Sequence, residues 1–397
     1  MHCLESAPRL PRARALIKVH KTIPSARLIV ANTRWLTTPT AALLAMLLNQ
    51  VVNCCTLIAR DSSDIIEAGN NIHVDGNTCS YTFDIENLYP SIDQSRMLAA
   101  IRTVLISHFT RFPQPKWGAR VELWLGLIEF VLFCQFAVCS LSDSISLWHQ
   151  TIGISIGVSC GAQLANIFLI AMDNSVTSGL GDNIALYRRY IDDILVVARA
   201  QILDQLVLLL KDYDPCIRVT HDDAAEKADN KNVHFLDLNL KFENGIMHYS
   251  TYRKPLCSYN YLPWSSCHSR NAKLGIVHTE LTRLLRTNRV EQDFLTQVRF
   301  FIDKLREKGY DILAIRAIVE KYPFSSKKAI LMKKMQNKPF LIPFRIEYSD
   351  ISSKLGIGGI LNQFKNVLPA PIRDKFKFVT SYSVGRSMFR LRYARFC

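Results

Sequence analysis

No Cys-x-x-Cys pair occurs in the 397 residues, although there are eleven cysteines. An odd count without a regular framework excludes a disulfide scaffold. Cys257, Cys267 and His268 lack a matching fourth ligand, which excludes a zinc site. The cysteines read as reduced, mostly buried thiols of an intracellular protein, with nucleus and cytoplasm both open. The basic start, MHCLESAPRLPRARALIKVHK, has no apolar core, so a secretory signal is not expected; it is only loosely like an organelle transit peptide. Uninterrupted apolar runs of spanning length are also missing. Residues 38–59 and 121–141 come near it, but Glu122, Glu129 and Gln135 would be costly in lipid, so both predict buried helices and no membrane partner. Repeats and low-complexity tracts are absent. Acid is scarce late in the chain, where 351–397 holds nine Lys and Arg against one acid, Asp374. With a formal charge of +15, this excess suits a polyanion, against the plainer readings of solubility or an interaction tail.

What is present is 49% hydrophobic, enough for a large core or for two or three subdomains. A strand is expected at 26–31 and a helix over about 39–58, starting at Thr38 and Pro39. CSYTFDIENLY (79–89) alternates and runs into Pro90, as a strand entering a turn does. Helices are expected at 93–107, 117–133, 161–176 and 200–213. VHFLDLNLKF and IMHYSTYRK form a strand pair around the turn Asn244-Gly245. Amphipathic helix covers about 277–322, breaking at Gly309, and a strand–helix–strand element covers about 338–384.

RRYIDDILVV (188–197) places two adjacent carboxylates, Asp192 and Asp193, inside a β-branched run. A surface hairpin carrying an Asp pair is the plain reading. Carboxylates held on a hairpin by buried neighbours also present hard oxygen ligands to Mg²⁺. A second source is Asp84, in the strand YTFDIENLYPSI (81–92). Aspartates converging on one site repel unless cations lie between them. A pair of metal ions resolves that repulsion and supports in-line phosphoryl transfer. Glu86 lies on the same strand face as Asp84 and is expected to serve the surface.

These segments, taken together and in order, resemble a reverse transcriptase of the Penelope-like retroelement group. The blocks are LIKVHKTIPSARLIVA (16–31), FDIENLYPSI (83–92), GISIGVSCGAQLANIFL (153–169), RYIDDIL (189–195), FLDLNLKFENGIMHYSTYRKP (235–255), YLPWSSCHSRNAKLGIVHTELTRLLR (261–286) and LREKGY (305–310). SYSVGRSMFRLRYARF (381–396) is a weaker match. The resemblance implies an α+β fold, a right-hand polymerase palm with an antiparallel sheet, partial fingers and a helical thumb. The implied division is partial fingers and first palm helix in 1–80, and palm with interleaved fingers elements in 81–255. The thumb would take 256–335, and a small basic extension 336–397.

The implied activity is RNA-directed DNA synthesis from dNTPs on a primer 3′-OH, with two Mg²⁺ ions as cofactors and Mn²⁺ able to serve. Asp84, Asp192 and Asp193 would be catalytic; Asp84 and Asp192 would ligate metal with the Ile85 carbonyl, and Asp193 would support the site. Tyr89 would lie under the nucleotide sugar and disfavour a 2′-OH. Gly157 would admit the nucleotide to close backbone approach, with Gln163, Ala165 and Asn166 on the helix beneath it. Lys18, Lys21 and Arg27 would hold the triphosphate. Lys227 and Lys231 are candidates for the acid that protonates pyrophosphate. Tyr190, Arg253 and Lys254 would contact primer or duplex. Lys327, Lys328, Lys333, Lys334, Arg386, Arg390 and Arg392 would meet heteroduplex phosphates. His268 is expected to be a structural hydrogen-bonding residue. The implied partners are an RNA template, a DNA primer or RNA–DNA heteroduplex, and a separate endonuclease, since no Gly-Ile-Tyr nuclease motif is present.

The chain departs from the family pattern at Ile156, Ala162, Ser269 and the pair Arg27-Leu28. Two alternatives follow. One is an impaired or domesticated polymerase-fold protein that binds RNA or heteroduplex without turnover. The other is a polymerase that makes RNA on RNA. The intact aspartates favour an enzyme over a binder, and Tyr89 favours deoxynucleotides.

Overall fold

Residues 7–18, 25–141, 144–221, 232–255, 257–333, 340–347, 359 and 376–383 are described by a computed structural model. They fall in two units, Met1–Tyr252 and Arg253–Cys397. In the first, β1 (Ala13–Lys18) pairs antiparallel with β2 (Ser25–Val30). Helix α1 (Thr38–Cys54) follows. Thr38 does not cap it; its hydroxyl donates to the Asn32 carbonyl and accepts from the Trp35 N–H, locking the preceding turn. Helix α2 (Ser62–Asn70), not anticipated above, is capped by Asp61. Then come β3 (Thr78–Glu86), the short α3 (Leu88–Ser91), α4 (Gln94–Arg111) and α5 (Trp117–Phe133). Asp93 caps α4, and Met97, Ile101, Leu105 and Phe109 form its buried stripe at four-residue spacing.

A hairpin of β4 (Phe136–Leu141) and β5 (Ser144–His149) was also not anticipated. The helix expected at 161–176 is two helices, α6 (Gly161–Phe168) and α7 (Ile170–Leu180), meeting at Leu169. Strands β6 (Ile184–Tyr190) and β7 (Asp193–Arg199) precede α8 (Leu203–Lys211) and β8 (Arg218–His221). The segment VHFLDLNLKF is not one strand but two, β9 (Asn232–Phe235) and β10 (Leu238–Glu243). They fold back at Leu236, which has φ +54°. Strand β11 (Ile246–Thr251) completes that three-stranded sheet.

The central sheet has the order β6-β7-β3-β8 and is antiparallel throughout. Period-two alternation divides its faces. Tyr81, Phe83, Ile85, Ile194 and Val196 pack on one side with α1, α4, α5, α6 and α7. Leu186, Leu195 and Val197 pack on the other with α2 and the β9–β11 sheet. Of the two apolar stretches that approach spanning length, the first is core helix α1, and the second divides between core helix α5 and strand β4. Leu44, Leu48 and Val51 of α1 and Val121, Leu125, Ile128 and Leu132 of α5 are buried. Among the described residues no helix is long and apolar enough to cross a membrane.

The second unit contains α9 (Arg270–Thr287), α10 (Glu291–Glu307), α11 (Ile312–Val319) and α12 (Lys327–Lys333). Ser269 and Asp311 cap α9 and α11. Gly309, at φ +78°, lies in the turn from α10 to α11. Val277, Leu281, Leu284, Phe294, Val298, Phe301, Leu305 and Ile315 make the core of this unit. Strands β12 (Phe340–Glu347) and β13 (Phe376–Ser383) pair in parallel. The helix expected between them lies outside the described residues, apart from position 359.

Lys327 turns inward. Its ammonium donates to the Asn288 carbonyl at 2.6 Å and lies over the Phe324 ring. Burial, with the Arg289 charge behind it, holds its pKa down at about 8. The unfolded chain keeps that proton up to about pH 10.5, so between these values folding gains stability as pH rises; below them both states hold the proton. Wild type should therefore gain on Lys327→Met between about pH 7 and about pH 10 in urea unfolding. An offset that stays constant across that range would refute this.

Candidate active site

The strand β3 delivers Asp84, and the β6–β7 hairpin delivers Asp192 and Asp193. Tyr190 and Asp193 are register partners, so Ile191 and Asp192 form a two-residue loop. Asp84 and Asp193 are also direct cross-strand partners. Their side chains therefore leave the same face of the sheet, with Tyr190 beside them on β6. Like charges placed directly opposite destabilise a sheet. This arrangement is tolerable next to water, where Asp84 is exposed and Asp193 half-buried, and favourable around a cation. Asp192 is held by its backbone: its carbonyl accepts from the Ile85 N–H at 3.0 Å. The carboxylates are hard oxygen donors suited to Mg²⁺. Among the described residues no three His, Cys, Asp or Glu side chains converge as a ready-made metal cluster, so an ion there would need further oxygen ligands.

The loop is strained. Ile191 has φ +56°, a left-handed conformation that a β-branched residue adopts at a cost of about 1–3 kcal/mol. A buried network holds it. The Arg189 guanidinium donates to the Ile191 carbonyl at 3.0 Å and to the side chain and carbonyl of Asn166 on α6. Its other edge meets Asp173 on α7 at 2.7–3.1 Å, and the Tyr187 hydroxyl donates to the same carboxylate at 2.8 Å. Arg189 and Asp173 are both 0% exposed. Burial, the largest influence, would favour an uncharged Arg189, but the Asp173 charge, its hydrogen bonds and nearby Tyr187 and Cys55 together outweigh it, and the guanidinium is held more firmly protonated than usual. Burial and then Asp173 push the Tyr187 phenol well up, so it stays a donor.

On the other side of Asp192 lies a cavity of about 830 Å³. Arg27 and Val30 of β2, Tyr89, Ile154, the β4–β5 hairpin and Asp192 itself line it. Burial raises the Tyr89 phenol, as do the charges of Asp192 and Tyr190, while Arg27 opposes. Two glycines shape this wall. A Cβ at Gly153 would lie 2.5 Å from the Tyr89 carbonyl, and one at Gly157 would lie 2.0 Å from the Val30 carbonyl. Both have positive φ, at +75° and +131°.

The structure thus brings together Asp84, Ile85, Asp192 and Asp193, and sets Arg27 and Tyr89 beside Asp192. The close approach made at Gly157 is to the backbone of β2. Gln163 turns away, to the Asn49 side chain on α1 at 3.1 Å. Ala165 and Asn166 are buried, Asn166 within the arginine network. Glu86 makes a surface ion pair with Arg218 at 3.4 Å. Tyr190 packs half-buried toward the β9–β11 side. Lys18 closes β1.

In the second unit, Arg253 is only 14% exposed, so the expected duplex contact is not offered by its guanidinium. It is occupied by Gln297 at 2.6 Å, Glu280 at 3.6 Å and the Phe300 ring. Lys254 and Lys328 are exposed. The His268 ring bonds Ser266 at 3.3 Å. Lys21, Lys227, Lys231, Lys334, Arg386, Arg390 and Arg392 lie outside the described residues. Sequence reasoning missed Arg189 and Asp173. An arginine directly before the Tyr-Ile-Asp-Asp string, and one acid inside the apolar helix 161–176, were the available signals.

Residues 260–317 match the animal helix-turn-helix domain family. No curated protein sequence matches the chain. Among solved structures, telomerase from Candida albicans in complex with a TWJ fragment of telomeric RNA has a TM-score of 0.52 at 13% identity, covering 78% of this chain and 56% of that one. Apo telomerase from Candida tropicalis gives 0.45 at 13% identity, over 82% and 60%. The RNA-dependent RNA polymerase of bacteriophage phi12 gives 0.45 at 12%, over 76% and 48%. The chain spans between about half and three fifths of the length of these structures. The first of these matches shows that the chain shares the fold of that telomerase.

Breaking the buried pair leaves an uncompensated charge. Asp173→Ala should cost about 3–5 kcal/mol in urea unfolding. The double change Asp173→Leu/Arg189→Met should cost less than the two single changes summed, because it removes both charges. Additive losses would show that the pair acts through something other than mutual charge compensation.

Proposed function

We propose that the chain is an RNA-directed DNA polymerase, a retroelement reverse transcriptase of the Penelope-like type. The observation that carries this reading is the backbone register that sets Asp84 opposite Asp193 at the ends of the two inner strands, with Asp192 in the loop between β6 and β7, next to a cavity lined by Tyr89 and Arg27. Asp84 and Asp192, with the Ile85 carbonyl, would hold two Mg²⁺ ions, with Asp193 supporting them. When bound, such ions supply activation of a primer 3′ oxygen and charge neutralisation at the leaving pyrophosphate.

The chain's own residues do the rest. Arg27 reaches the cavity from β2 and would pair with a triphosphate by charge-assisted hydrogen bonds. Tyr89 stays neutral there and would lie against the sugar, disfavouring a 2′-OH. Hydrogen bonds to the carbonyls of Ile191 and Asp192 would hold the loop, and with it Asp192, in place. An RNA template and a DNA primer are the partners this chemistry calls for, with DNA cleavage supplied by a separate endonuclease.

Primer extension tests the reading. Purified full-length protein is given an RNA template, an annealed DNA primer, Mg²⁺ and either dNTPs or NTPs. Extension with dNTPs should disappear in Asp192→Asn/Asp193→Asn, a loss of at least about a hundredfold if the carboxylates carry the transition-state charge. Tight, salt-sensitive duplex binding without extension in either protein would instead establish a binding protein. Extension with NTPs alone would establish an RNA-making enzyme.

A further inference from the structure

The cavity beside Asp192 has one wall that the phosphoryl chemistry leaves unused. At about 830 Å³ it is toward the upper end of the ~300–1,000 Å³ common for small-ligand pockets. Asp192, Tyr89 and Arg27 line it together with residues of the β4–β5 hairpin. From that hairpin Trp148 lines the cavity, yet it is 57% exposed. The other indoles near the fold's core behave differently. Trp124 is 6% exposed, and Trp35 donates to the Cys134 carbonyl from a half-buried position.

The Trp148 N–H already has a partner, the Ser146 hydroxyl at 2.7 Å. An indole has no other polar atom, so nothing further is required of its edge. The bond is to a residue on the same strand, and it leaves the ring largely exposed where it lines the cavity. Neighbouring Phe136 and His149 stack on each other, centroids 4.4 Å apart at 16°, and so spend one face each internally. Trp148 is the larger and freer surface. A singly exposed apolar side chain is ordinary on a protein surface, but an exposed indole that lines a cavity offers a ligand there a large apolar face to cover. The occupant must be flat, apolar on its faces and compatible with a cation nearby, Arg27. An unpaired nucleobase meets all three conditions, and any of the four bases offers the same π-face. The chain's charge of +15 brings the attached phosphates toward it.

We propose that Trp148 is a stacking platform for an unpaired base of the nucleic-acid strand entering this cavity. The identity of that strand as a template rests on the polymerase reading; the stacking contact itself does not.

The test uses the full chain and a primer–template whose first unpaired template positions carry 2-aminopurine, normal bases or abasic sites. Affinity and 2-aminopurine fluorescence are read without added nucleotide. Wild type should bind the base-bearing overhang about ten- to a hundredfold more tightly than the abasic one, and should quench the probe. Trp148→Phe should keep most of that preference. Trp148→Leu and Trp148→Ala should both lose it. Leucine keeps apolar bulk without a π-face, so retention in Trp148→Leu would overturn stacking in favour of general apolar packing. No base preference in wild type, or a preference surviving Trp148→Ala, would also overturn the proposal. Primer extension is scored separately. Extension without base preference would sink this inference alone, and base preference without extension would sink the polymerase reading alone.

Discussion

The buried pair of Arg189 and Asp173 is the constraint around which the first unit is arranged. A guanidinium with no exposure needs every donor answered, and each answer comes from a different element. Asp173 supplies it from α7, Asn166 from α6, and Ile191 from the loop between β6 and β7. The Arg189 backbone is engaged too, donating to the Leu57 carbonyl and accepting from the Ala59 N–H. One residue thereby ties two helices, the segment after α1 and a strained turn together. Desolvating two charges is expensive, and such a pair is weak evidence for stability in itself. Its value here is geometric: it fixes where the hairpin ends, and so where Asp192 begins.

Around that anchor the carboxylates divide their surroundings. Asp84 and Asp193 share a sheet face as direct partners, while Asp192 borders the cavity with Tyr89 and Arg27. Placing like charges opposite one another works against the sheet, and the surrounding structure tolerates it because the rest of β7, from Ile194 to Ala198, is apolar and buried along its pairing with β3. A local conflict held in place by a consistent core is the pattern expected of a working site. The same logic explains how a chain 13% identical to a fungal telomerase can share its fold. Packing asks for apolar residues at the right period, whereas identity at each position is needed only where charge and backbone strain are concentrated.

The second unit shows that a charge count is not a count of available charges. Lys273 is buried, donates to the Trp264 carbonyl and lies over its ring. Arg253 is enclosed by Glu280, Gln297 and Phe300, and Lys327 bonds inward to Asn288. These cations knit helices together. Residues such as Lys254 and Lys328, exposed on the surface, are the ones left for a polyanion. Fewer cations are open to solvent than the composition suggests.

Much of this was legible in the sequence. The stripe in α4, the alternation in β3 and the Asn244-Gly245 turn specify their elements locally, because each depends on periodicity or on a conformation that few residues adopt. The adjacent aspartates and the earlier Asp84 were likewise readable, since carboxylates in apolar strands are conspicuous. Local signals failed where a segment borrows its conformation from a partner. Strand β4 follows directly on an apolar helix, and the fold-back at Leu236 uses a residue with no turn preference. The sequence by itself determined which carboxylates lie in apolar strands and on which strands they lie. Tertiary structure alone decided that Asp84 faces Asp193 and not Asp192, that Gln163 and Arg253 turn to neighbouring helices, and that Trp148 stands open beside the cavity. Those outcomes depend on strand register and on which donors a buried guanidinium must satisfy, and both are settled between segments far apart in the chain.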